Sequence, residues 1–147
     1  MYRLLVVLHL LGASIWLGGH LVLSLAVLPR ALRARDPSIV RDFEAGYERI
    51  GLPALLVQVV TGLWLAHHWV PGLRSWLSPA SPQAWGILGK LACLAATLAL
   101  AAHARLRIIP KLDAQTLPLL AWHVAAVTLL AFGFLVLGVA IRTGGLL

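Results

Sequence analysis

LLVVLHLLGASIWLGGHLVLSLAVL, residues 4–28, carries no formally charged side chain, yet it includes two histidines, His9 and His20. A helix rises 1.5 Å per residue, so about 20 apolar residues cross a hydrocarbon core about 30 Å thick, and this run is long enough. At 100° per residue, the step from His9 to His20 returns to within about 20° of its start. The two imidazoles therefore share one face, about 16 Å apart along the axis. Gly12, Ala13 and Trp16 fall in the same stripe; the small residues admit another helix or a flat ligand, and Trp16 can cover what is bound. An intramembrane imidazole either hydrogen-bonds to a neighbouring helix or lines a site, and two on one face point to a site.

Composition sets the class. The chain is 61% hydrophobic and 12% charged over 147 residues, a balance far from that of a soluble domain of this size. It reads as an all-α, polytopic membrane protein, a single domain of four spans. The first run is longer than the apolar region of a cleavable signal and lacks a small-x-small cleavage site ahead of a soluble domain, so it is expected to stay as a span. The net charge of +7 sits in short loops between hydrophobic runs, where it orients the chain and meets anionic headgroups; nucleic acid is not an expected partner. Cys93 is the one cysteine, which excludes an internal disulfide and a Cys-x-x-Cys metal pair.

Outward from the first span, a basic loop holds Arg30, Arg33, Arg35, Arg41 and Arg49, diluted by Asp36, Asp42, Glu44 and Glu48. Asp36-Pro37 is a helix start, and Ile39, Phe43, Tyr47 and Ile50 recur at helical spacing. That pattern predicts a short amphipathic helix on the membrane surface between the first two spans. The second span is expected over residues 53–69, with Gln58, Thr61 and His68 on one side and His67 turned toward the headgroups. Residues 71–83 read as an exposed loop.

The third span, residues 85–104, contains the one formal charge buried in any run, Lys90, which must snorkel, pair or deprotonate. Gly89, Ala92, Ala96, Ala99 and His103 form a small-residue stripe suited to close packing, and Lys90, Cys93 and Thr97 occupy another face. The last span, residues 116–141, carries His123 alone in an apolar stripe, a position that suits a structural hydrogen bond. Residues 144–147 are then a short tail.

The first and third loops hold most of the Lys and Arg, so the positive-inside rule places them in the cytoplasm and both termini outside. His9, His68 and Lys90 then fall in the outer half of the membrane, and His20, His103 and His123 in the middle or inner half. Two such clusters are what a four-helix bundle needs to hold a metal or cofactor.

The run LHLLGASIWLGGHLVLSLAVLPRALR, TGLW in the second span, and WGILGKLACLAATLALAAHARLRIIP across the third resemble the membrane domain of the copper-resistance protein D (CopD) family. The most specific parts are His9 with Trp16-Leu17-Gly18-Gly19, and Lys90 with Arg105-Leu106-Arg107 and Pro110. The resemblance implies a bacterial inner-membrane protein that takes up or handles copper. A second, overlapping likeness, through His9, Trp16, Phe43, Glu48-Arg49, Pro53-Ala54, Trp85 and Lys90-Leu91, is to HemJ-type protoporphyrinogen oxidases. It implies haem binding by the matching histidine and lysine and oxidation of a porphyrinogen. The histidine after Lys90-Leu91 comes later here than in that family, which ranks the likeness second.

Soft Cu(I) usually travels on thiolates and thioethers, of which this chain has only Cys93 and Met1, so a methionine relay is excluded. Imidazole suits Cu(II), zinc and haem iron. The expectation is a His-lined intramembrane metal centre in copper transport or handling, with His9, His20 and His68 as ligands. Its alternative is haem b, one or two, held by His9 with His68 or Lys90 and by His20 with His103 or His123, in an electron-transfer protein or oxidoreductase. A purely structural assembly subunit with satisfied histidines stays open. Expected partners are the bilayer, copper or haem, and a periplasmic copper protein or a quinone.

Overall fold

The computed structural model describes residues 1–77 and 80–144. Ser78 and Pro79 of the expected loop, and the expected tail from residue 145, lie outside the described residues. Helices α1 (Tyr2–Val22), α2 (Leu28–Ala34), α3 (Ser38–Trp69), α4 (Leu73–Leu77), α5 (Pro82–His103) and α6 (Leu117–Thr143) account for nearly all of the structure. Among the described residues four helical stretches, Tyr2–Ala34, Ser38–Trp69, Pro82–Lys111 and Leu117–Thr143, are long and apolar enough to cross a membrane, and the chain is a multi-pass, all-α protein.

The first stretch is α1 joined to α2 by a π-helical turn, Leu23–Val27, and the third continues from α5 through a second π-helical turn, Ala104–Ile108. Each lies just before a proline, Pro29 or Pro110. A proline ring inside an α-helix collides with the carbonyl four residues earlier, and a widened turn takes up that collision without ending the helix. The helix closes at Arg35, in the left-handed region at φ 52°, and Asp36 Oδ1 accepts the Ser38 N–H at 2.9 Å to start the next.

The expected surface helix and second span are one helix. α3 runs 32 residues from Ser38 to Trp69, straight through Pro53. The reason is a single stripe: Val40, Phe43, Tyr47, Gly51, Ala54, Gln58 and Thr61 recur every three or four residues on both sides of Pro53, while Pro53 itself is exposed. A face that keeps packing on one neighbour gives the chain no reason to turn. The expected exposed loop is likewise partly ordered, because α4 buries Trp76, whose Nε1–H donates to the Val70 carbonyl at 2.7 Å.

α1 packs antiparallel along α3, α5 packs along α6, and α1 joins the two hairpins by lying on α6. Small residues set the approach. At Gly12 a Cβ would stand 2.8 Å from the Ala54 carbonyl oxygen, as helix contacts in membranes favour. Ser24, in the first π turn, hydrogen-bonds to Thr128 of α6 at 2.7 Å. The densest apolar core, with Leu23, Leu28, Ala31, Val40, Ala104, Ile108, Leu117, Leu120 and Val124, lies at the basic end of the bundle. There Arg41 donates to the Leu112 carbonyl, and Arg105 pairs with Glu48 at 2.7 Å.

Candidate metal site

The close approach at Gly12 seats His9, one turn away, against α3. His9 Nδ1 lies 3.0 Å from the Gln58 carbonyl oxygen and 3.0 Å from Thr61 Oγ1. A carbonyl only accepts, and the Thr61 hydroxyl already donates to the Val57 carbonyl at 2.6 Å. The proton of neutral His9 must therefore sit on Nδ1, leaving Nε2 with an open lone pair and no hydrogen-bond partner among the described residues. That is how metal-ligating histidines are held: one ring nitrogen donates to a carbonyl and the other faces the metal. A Cβ at Gly62 would stand 3.0 Å from His9 Cε1, so the imidazole occupies space that any other residue there would claim.

His20 repeats the arrangement within its own helix, with Nδ1–H donating to the Trp16 carbonyl at 2.9 Å. Its ring lies 4.4 Å from that of Trp16 and meets Tyr47 edge-on at 6.4 Å. Tyr47 stacks on Phe43 and donates its hydroxyl to the Ile15 carbonyl at 3.0 Å. The glycine at position 19 makes room, since a Cβ there would fall within 2.5 Å of the Tyr47 ring and hydroxyl. Assigning Tyr47 to a surface helix hid it as a partner; its place in the unbroken stripe to Thr61 was the available signal.

Lys90, Cys93 and Thr97 lie on one face of α5. Lys90 Nζ lies beside Gly138 and Cys93 Sγ beside Gly133 of α6, and Lys90 is within electrostatic range of His9. Thr97 Oγ1 and Gln58 Oε1 are buried without a hydrogen-bond partner among the described residues. Of the expected small-residue stripe, Gly89 packs on Leu137, whereas Ala92, Ala96 and Ala99 are exposed.

His103 and His123 come together. His123 Nδ1 lies 2.9 Å from the Leu119 carbonyl, so it carries the proton, and its Nε2 accepts from His103 Nδ1–H at 2.8 Å. The ring centroids are 4.9 Å apart with planes 16° from parallel. That separation exceeds the nitrogen–nitrogen distance by about two ring radii, so the rings lie edge to edge with their nitrogens aimed at each other. His123 does make the structural hydrogen bond its stripe suggested, but it is not alone.

His68 stands apart from His9. It is exposed, stacked on Trp64 at 5.4 Å and against Tyr2 at 4.8 Å, about two turns beyond Thr61 on α3. Among the described residues no three His, Cys, Asp or Glu side chains gather as ligands for one metal ion, so His9, His20 and His68 do not form a common site. A bis-ligated haem needs two ligand atoms about 4 Å apart across an open plane, from metal–nitrogen bonds of about 2 Å. His9 lies against α3, Lys90 against α6, and His103 bonds directly to His123. The residues present do not fit a haem. A bare ion between two nitrogens needs the same spacing but no open plane for a macrocycle.

A family model described as Copper resistance protein D matches residues 41–141. The match takes in most of α3, all of α4 and α5, and α6 as far as Ile141; α1, with His9 and His20, precedes it. No curated protein and no solved structure matches the chain.

Proposed function

The chain belongs to the copper resistance protein D family, and from that premise we propose that it handles copper ions inside the membrane, with Nε2 of His9 receiving the ion. The observation that carries this reading is the fixed tautomer of His9, held by the Gln58 carbonyl and Thr61 Oγ1. His9 precedes the matched residues, so its role rests on that geometry and the family supplies the identity of the ion. Copper is cargo here. A site with few imidazoles suits an ion that must be taken up and released, where a full ligand cage would hold it. His20, with its own open Nε2, is a second station about 16 Å along α1, and Cys93 is the one soft donor between the helices.

The charge distribution supports an orientation with the basic loops in the cytoplasm and both termini outside, in a bacterial inner membrane. His9 and His68 then lie toward the outer face, where a periplasmic copper protein would deliver.

Replacing His9 by Ala tests the reading. Cells carrying the variant should match the deletion strain in copper content and tolerance, and the purified variant should bind less copper than the parent. An unchanged copper phenotype together with unchanged binding rejects His9 as ligand. Reporter fusions at positions 41 and 78 test the orientation, and cytoplasmic activity at position 78 reverses it.

A further inference from the structure

The His103–His123 pair has no part in the site at His9. It stands at the basic end, where α5 passes into its π-helical turn and Trp122 is exposed beside it. Such turns inside helices often mark functional positions.

We infer that His103 and His123 form a second metal site, a two-coordinate one for monovalent copper, with His103 Nδ1 and His123 Nε2 as the opposed ligands. Three observations lead there. His123 Nε2 is an unprotonated donor, because its Nδ1–H is committed to the Leu119 carbonyl at 2.9 Å. The facing nitrogens are 2.8 Å apart and the two ring planes lie within 16° of parallel, so the two nitrogens already point toward each other. His103 is exposed, which gives the ion access from the headgroup region and lets the ring shift outward to the spacing of about 4 Å that two metal–nitrogen bonds require.

The proton balance is simple. When the ion takes the place of the shared proton, His103 loses it from Nδ1 and its exposed Nε2 takes one from water. Both imidazoles remain neutral, and no net proton is released.

The surroundings choose the charge of the ion. Arg105 and Arg107 follow His103 within the π turn, and Arg105 is already paired with Glu48. Among the described residues no carboxylate joins the two imidazoles. A divalent ion would ask for more ligands and meet stronger repulsion; a monovalent ion satisfied by two opposed nitrogens fits. The site is separate from His9 and rests on the copper reading only for the identity of the ion.

The test uses the full chain purified in detergent without oxygen, titrated with Cu(I) against a chromophoric Cu(I) chelator, with an X-ray absorption spectrum of the loaded protein. The expected result is a linear, two-nitrogen copper signal that survives His9→Ala. His103→Asn keeps an amide N–H near the position of Nδ1, and so preserves the hydrogen bond to His123. It should still lower the affinity of this site by at least about tenfold and erase the linear signal. His123→Ala should do the same. If both variants match the parent in affinity and spectrum, or if the bound copper has three or more ligands, the inference is overturned. Loss of all copper binding on His9→Ala alone would overturn it and leave the reading at His9 standing. A linear signal with an unchanged copper phenotype for His9→Ala would do the reverse.

Discussion

Gly12→Ala is the smallest change that tests how His9 is seated. The new Cβ would stand 2.8 Å from the Ala54 carbonyl oxygen and 3.1 Å from Gln58 Cβ. The first is backbone in the middle of a helix, so it cannot swing aside; α1 and α3 must separate. Overpacking of this kind costs about 1–3 kcal/mol. Against it stands the better helix propensity of Ala, worth about 0.5–1 kcal/mol. His9 lies on the next turn, and its bifurcated bond to Gln58 and Thr61 would lengthen with the gap, losing about 0.6 kcal/mol more on the scale measured for interhelical bonds in membranes. The sum is a destabilisation of about 0.6–3 kcal/mol, centred near 2. Gly18→Ala is the control, since nothing lies within 4 Å of a Cβ there, and it should be neutral or slightly stabilising. Reversible unfolding in mixed detergent micelles measures both. Copper binding by Gly12→Ala should fall along with stability if the carbonyl of Gln58 orients the ligand. Equal stability of the two alanine variants refutes the packing argument, and full stability loss with unaltered copper affinity refutes its extension to the site.

Ser24→Ala removes the hydroxyl that donates to Thr128 Oγ1 at 2.7 Å, Thr128 itself donating to the Val124 carbonyl; the expected loss is about 0.6 kcal/mol and no more than about 1.7 in the same unfolding assay. At the entry to α6, backbone N–H donation from Thr116, followed by its hydroxyl, holds the Asp113 carboxyl below the usual carboxylate range. Because the folded value is depressed, this contribution is present above the unfolded pKa and fades as pH falls through the folded one. Acid should therefore loosen the start of α6, and Asp113→Asn should remove that dependence, read by amide exchange in residues 113–120 as a function of pH. In lipid nanodiscs, amides of residues 28–34 and 104–112 should exchange more slowly than those of residues 64–77, since the apolar core gathers at the basic end and α4 lies outside it. Uniform exchange across these segments would contradict a bundle clamped at one end.

The four crossings were legible because a membrane demands length and apolarity and little else. What the sequence concealed was continuity. Pro53 and the charges before it suggested a break after Ile50, yet the stripe from Val40 to Thr61 was present in the same residues, and packing against α1 outweighed the proline. At the site, the shared face of His9 and His20 was readable from periodicity, as was the grouping of Gln58 with Thr61. The pairing of His103 with His123 was not. It depends on where α5 and α6 meet across a connection of thirteen residues; His123, alone in an apolar stripe, looks structural, and His103 reads as the end of a small-residue stripe. His68 misled for the opposite reason: its helical face was read correctly, but its depth leaves it with Tyr2 and Trp64 at the end of the bundle.

The two π turns show how a helix can give one face to an imidazole and another to packing. Without the turn at Leu23–Val27, the eleven steps from His20 to Ala31 would bring Ala31 back beneath the histidine, since eleven α-helical steps close to within about 20°. Ala31 is fully buried in the basic-end core, while His20 looks toward Tyr47 on α3. One additional residue in a turn rotates everything after it by about 100° relative to an unbroken α-helix, so the core-forming segment is turned off the histidine face without a break in the chain. The second π turn stands in the same relation to His103: the exposed histidine precedes it, and Ala104 and Ile108 within it are buried. Pro29 and Pro110 make the widened turns locally favourable. Their shared placement, histidine before and proline after, separates an imidazole from the packing surface of its own helix at both points.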